Sequence, residues 1–271
     1  MRRLFLACGV AALVFFTAFP FAWMIATAFK RSDEIFTSPP TFLPSSITLE
    51  NLTRLFEQTR FGTYLVNSVL VATATVLLTL VIATPAAYAL TRFRFRGRET
   101  IAATVLLTYM FAPIMVIIPF YVLMRALELT NTHAGLVLAY TAFCLPFALW
   151  LLRTFFQSIP LDLEEAALTD GASRLRAVQH VVLPLAAPGV IATGTFTFIL
   201  AWNDYIFARV LLAADELKTL PVGIADLYNA SVVDWGMIMS AGMLVLLPVL
   251  VVFAFIQKYL VTGWGSGGIK G

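Results

Sequence analysis

Few residues of this chain carry reactive groups, and their spacing excludes most chemistry. No G-x-x-x-x-G-K-[ST] run is present, so no loop of that kind cradles a nucleotide's phosphates. The two histidines, His133 and His180, stand apart, and neither belongs to an H-E-x-x-H pair that could hold zinc. Cys8 and Cys144 lie inside distant apolar runs and read as small buried hydrophobes, not as a disulfide or metal framework. No paired carboxylates sit inside an apolar run, so an intramembrane enzyme lacks its catalytic groups. Energy for any work must come from a partner. Two polar segments remain to be explained: the stretch 153–187, and the Asn203-Asp204 pair within an apolar run.

The elements that position these groups are membrane spans. The 271 residues are 60% hydrophobic and 12% charged, with a mean hydropathy of +0.89. Soluble domains carry about 25% charged residues, and water could not hide this much apolar surface around one core. Apolar stretches long enough to cross a bilayer fall at about 4–29, 64–90, 101–123, 135–152, 188–210 and 238–257. Prolines inside them, among them Pro20, Pro85, Pro113, Pro119, Pro146 and Pro248, predict kinks instead of breaks. The first run exceeds a signal peptide's apolar core of roughly 7–15 residues and reads as a retained span.

Placing both termini inside puts eleven of the eighteen Lys and Arg on the inner side. Arg92, Arg94, Arg96 and Arg98 fall there in one short segment. The net charge of +3 is spread between apolar runs, which argues for membrane orientation and against nucleic acid. The expected fold is therefore an all-α polytopic membrane protein with six spans, N-in and C-in. Outside, Thr48 is placed to cap a short amphipathic helix bearing Leu49, Leu52, Leu55 and Phe56. The polar stretch 211–235 is long for a connection between helices.

The inner segment 153–187 has local structure written into it. Asp162 stands as an N-cap before Leu163-Glu164-Glu165-Ala166-Ala167, with an acid three residues on. Leu163, Ala166 and Ala167 form an apolar stripe. Gly171 supplies a helix stop, and Ser173 caps a second helix running toward Leu183-Pro184. By physics alone, a solvated connector explains this as well as a docking element. Small Ala166, Ala167 and Gly171 permit close approach by another surface, and Glu164, Glu165 and Asp170 remain free for charge pairing.

The run Glu165-Ala166-Ala167-Leu168-Thr169-Asp170-Gly171, then nine residues, then Val181-Val182-Leu183-Pro184, resembles the EAA loop of ABC importer permeases. That pattern reads E-A-A, three residues, G, nine residues, I-x-L-P, and Val181 replaces the usual isoleucine. The resemblance implies a type I importer permease fold in which this loop forms a coupling helix docked on a cytoplasmic ATPase. Glu165, Ala166, Ala167 and Gly171 would take the docking positions. Ala201-Trp202-Asn203-Asp204-Tyr205 and the tail Gly265-Ser266-Gly267-Gly268-Ile269-Lys270-Gly271 are similar to the smaller permease of maltose-type carbohydrate importers. In that subgroup the tail, here with Gly267, Gly268, Lys270 and Gly271, reaches between the ATPase subunits. The partners so implied are a second permease, an ATPase dimer that binds ATP and magnesium, an extracytoplasmic binding protein and a sugar-type solute, in a bacterial cytoplasmic membrane.

An acid inside a span costs about 2.5–3.5 kcal/mol at the bilayer centre and less near the interface. Asn203, Asp204 and Tyr205 therefore either line the translocation path or form an interfacial hydrogen-bonded cluster with Arg209. A self-sufficient ion-driven carrier would lead one to expect midplane charges and inverted repeats, and neither is evident. A glycerol-phosphate or other small polar solute would suit the same permease features.

Overall fold

The computed structural model describes residues 2–265, and every regular element among them is helical. Two compact units divide the chain: Met1–Leu65 with Thr219–Leu250, and Val66–Lys218 with Val251–Gly271.

In the first unit, α1 (Arg2–Ala28) is apolar from Phe5 onward and buries none of its most hydrophobic stretch, so its surface suits lipid or another subunit. Helix α2 (Ser32–Ile35) is a single turn. Helix α3 (Glu50–Gln58) starts one residue later than a Thr48 cap predicts: Leu49 holds the cap position, and Thr48 Oγ1 accepts from the Glu50 N–H at 3.1 Å. Its buried face differs from the expected stripe. Asn51 and Leu55 are buried, whereas Leu49 and Phe56 are exposed. The reason is polar: Asn51 Nδ2 donates to the carbonyls of Ala28 (3.1 Å) and Lys30 (2.7 Å), which the end of α1 leaves without helical partners. Arg54 pairs with Asp234 at 2.6 Å. The long outer stretch is not loose. It contains α12 (Leu220–Tyr228), where Gly223 is required because a Cβ there would come within 2.3 Å of the Tyr64 ring.

The second unit centres on α7 (His133–Ser158), which buries 56% of its most apolar stretch. Thr132 caps it by accepting from the Gly135 N–H at 3.0 Å. Packed against α7 is α10 (Leu183–Asn203), and Gly189 lets the two approach, since a Cβ there would meet the Phe155 ring at 2.3–2.6 Å. Tyr88 and small residues of α4 (Phe61–Arg92), Ala83 and Ala87, complete a core with Ala148, Leu152, Phe156, Val182 and Ala186. Helix α13 (Trp235–Gly265) is the last span.

Three expected spans are corrected. The stretch 101–123 is two helices, α5 (Arg98–Thr108) and α6 (Pro113–Ala126), bent by 98°. Pro113 breaks the chain where a kink was expected, because the residue before a proline is driven out of the helical region; Ala112 sits at φ −63°, ψ 139°. Pro20, Pro85, Pro119, Pro146, Pro188 and Pro248 all lie inside continuous helices. The fifth apolar stretch belongs to a helical run from Arg174 to Asn203, and it stops at Asp204, not at residue 210. Helix α7, the fourth expected span, outlasts its apolar stretch by several polar residues, since hydropathy reports lipid contact and not helix length.

Candidate functional site

Helix α8 (Leu161–Thr169) projects from the second unit where the docking element was expected. It starts behind Pro160, whose fixed φ suits a helix start, and no side chain caps it. Asp162, expected as the cap, lies in the first turn instead, where an acid still complements the helix dipole. The end is as the glycine predicts. The Ala172 N–H donates to the Ala167 carbonyl (3.0 Å) and the Gly171 N–H to that of Leu168 (3.1 Å), with Gly171 at φ +87°. This six-to-one, five-to-two pattern needs a left-handed residue, which glycine adopts without steric cost.

After the turn, Ser173 Oγ accepts from the Arg176 N–H at 3.4 Å and opens α9 (Arg174–Ala177). A π-helical turn, Val178–Val182, joins α9 to α10. The wider turn spares the helix a clash between the Pro184 ring and the carbonyl four residues back. Leu183 is half-buried against the core and Pro184 sits exposed in the first turn of α10, so both shape the helix and neither belongs to α8's outward face.

The face of α8 and its turn is open. Glu165, Ala166, Asp170 and Gly171 are exposed, Ala167 is half-buried, and Leu161, Leu163 and Leu175 are 48%, 46% and 66% exposed. Nothing lies within 4 Å of where a Gly171 Cβ would be. Glu164 is different. Expected to be free for pairing, it is 5% exposed and is the one buried residue of α8. Its Oε2 lies 3.0 Å from Arg92 Nε, an ion pair outside hydrogen-bond angles, and its Oε1 accepts from the Tyr88 hydroxyl. Arg92 also donates Nη2 to the Ile159 carbonyl at 3.0 Å. Nearby, Arg174 lies 5.2 Å over the Phe93 ring. Arg153 donates Nη2 to both Glu99 oxygens at 2.6 Å.

The Asn203-Asp204 pair lies at a helix break. Asp204 is extended (ψ 129°), and its Oδ1 accepts from the N–H groups of Phe207 (3.0 Å) and Ala208 (3.3 Å), capping α11 (Ile206–Leu211). The same oxygen accepts from the Tyr140 hydroxyl at 2.9 Å. Asn203 Nδ2 returns to the Ile199 carbonyl at 2.8 Å, and Tyr205 is 39% exposed. Asn203 and Asp204, with Pro113, Tyr140, Phe143 and Phe207, line a half-open cleft of about 270 Å³. The tail residues Gly267, Gly268, Lys270 and Gly271 lie outside the described residues.

Residues 76–265 match the family described as "Binding-protein-dependent transport system inner membrane component". The chain belongs to this family. It is thus a multi-pass permease component of a transport system. The inner membrane ABC transporter permease protein YcjP of Escherichia coli is 35% identical, covering 100% of this chain and 98% of that protein. The trehalose/maltose transport system permease protein MalG of Thermococcus litoralis is also 35% identical, with the same coverage on both sides. The permease superposes with a TM-score of 0.82 and 26% identity on a chain from the crystal structure of a bacterial ABC transporter involved in the import of the acidic polysaccharide alginate. That match covers 94% of this chain and 95% of the other, and gives the type I importer fold. The permease residues that sequence reasoning missed are Tyr88 and Arg92. Their only signal is an aromatic and a cation four residues apart at the end of a span, and neither announces a partner 76 residues on from Tyr88.

Proposed function

We propose that this permease is one membrane-spanning half of an ATP-driven importer that brings a carbohydrate-type solute into a bacterial cytoplasm. The observation that carries the reading is α8: a short helix with one buried acid, with Leu161, Leu163 and Ala166 exposed. Such a face suits a groove on a cytoplasmic ATPase. The solute class follows from relatives whose names specify trehalose, maltose and alginate.

In this reading a second permease completes the pathway across the bilayer, and an extracytoplasmic binding protein delivers the solute. ATP and magnesium belong to the ATPase dimer, not to this chain. Closure of the dimer moves α8 as a rigid body, and the bundle alternates between outward and inward openings, a transition between packed states. The cleft at Asn203, Asp204 and Tyr140 would form part of the translocation path in the same reading. Its aromatic walls and its carboxylate suit a solute with apolar faces and hydroxyl edges.

The test is recovery of the tagged permease from its native membrane in mild detergent, followed by mass spectrometry. The expected companions are a second six-span permease, a P-loop ATPase and a binding protein. Recovery of the permease alone, under conditions that keep other transporters intact, would sink the proposal in favour of a self-sufficient carrier.

A further inference from the structure

Helix α8 has nine residues, too few to hold a helix in water by propensity alone. Its position must come from contacts with the rest of the chain, yet it fully buries no apolar side chain, and only Ala167 and Leu168 are half-buried. Its single buried residue is Glu164, and Glu164 reaches Arg92 and Tyr88, both in the last turns of α4. The Arg92 side chain is itself buried, 5% exposed, and its second contact is the carbonyl of Ile159, the residue just past the end of α7. One guanidinium thus joins the ends of α4 and α7 to the start of α8, with a contact on either side of Pro160.

A buried ion pair is a poor source of stability, because desolvation offsets its attraction, and apolar residues of similar volume often serve as well. What it supplies here is geometry. Tyr88 donates to one Glu164 oxygen, Arg92 pairs with the other, and Arg92 Nη2 donates to Ile159; these three contacts together set the angle of α8 against α4. The axis of α4 is about 48 Å long by helix rise, longer than the roughly 30 Å hydrocarbon core.

We propose that Arg92, supported by Tyr88, is the positioning residue of energy coupling: through Glu164 it locks α8 to α4, so that a push on α8 becomes a movement of that span. This rests on the reading that α8 docks on an ATPase. It also reassigns one of the four arginines at 92–98, whose sequence signal is topological: Arg92 serves the junction.

The experiment uses the whole importer, reconstituted in proteoliposomes with its own partners, and reads solute transported per ATP hydrolysed. Arg92→Met combined with Glu164→Leu fills the same volume without charge. A complex that assembles in normal proportions but transports about tenfold less solute per ATP is the expected result. A purely structural pair would lower the yield of complex and leave that ratio alone. Arg92→Lys keeps the attraction to Glu164 but not the simultaneous hold on Ile159, and should lower the ratio by only about two- to threefold.

An unchanged ratio in the assembled double variant overturns the proposal. Should that variant fail to assemble, Tyr88→Phe and Arg92→Lys decide, since both leave the buried charges paired, and normal ratios in both overturn it. Absence of any ATPase bound to the unaltered permease would instead refute the docking reading itself.

Discussion

At Gly171 the backbone sits at φ +87°, and the space beyond the missing Cβ is empty to 4 Å. The two facts separate two effects that a substitution usually mixes. Any L-residue there strains the turn by about 1–2 kcal/mol, whatever its size. Only a partner's surface can then distinguish a small side chain from a large one. Gly171→Ala should insert normally and lose some turn stability. Gly171→Phe, with the same backbone strain, should transport about tenfold less than the alanine variant where the face docks tightly. Equal uptake by the two variants would show that this face meets nothing. Glu164 makes the contrary case: a residue that looks available in the sequence is consumed inside the chain.

Among the elements, the two broken helices matter most. Ala112 before Pro113 and Asp204 after Asn203 are both extended, and each break borders the cleft. Local chemistry explains both: proline forbids a helical predecessor, and an aspartate oxygen draws the next N–H groups to itself. Asp204 therefore holds a structural role already, and removing its side chain would cost about 1 kcal/mol of capping alone. Asp204→Asn is the cleaner probe, because an amide oxygen can still accept from Phe207, Ala208 and Tyr140 while the charge leaves the cleft. If solute hydroxyls bind that charge, uptake by the assembled importer should fall about tenfold at subsaturating solute. Unaltered uptake would leave Asp204 as a cap and hydrogen-bond partner only, the second of the two readings its sequence allows.

For the whole molecule the governing quantity is the asymmetry of positive charge, which orients the spans. With Cys8→Ala and Cys144→Ala as background, single cysteines report each side. A membrane-impermeant maleimide added outside right-side-out vesicles should label Glu57→Cys on exposed α3. Arg96→Cys, between α4 and α5, should react only after the membrane is opened. Labelling of both from outside would reject the N-in, C-in arrangement. That the exposed surface of α1 includes Phe5 at 82% and Phe16 at 81% agrees with a span whose surroundings are apolar.

The sequence by itself determined whatever depends on solvent and on near neighbours along the chain. Runs of apolar residues announce lipid because no other solvent accepts them. Gly171 and Ser173 announce a helix end and a helix start, because φ preference and side-chain capping act over three or four residues. The segment that resembles the EAA loop is legible for the same reason, being short and continuous. Only the tertiary structure decided that Asn51 closes the end of α1, that Asp204 turns toward Tyr140, and that Glu164 turns inward to Arg92. Each depends on a partner brought close by the packing of helices distant in sequence. A buried polar group takes whichever partner folding presents, and no spacing along the chain records that choice.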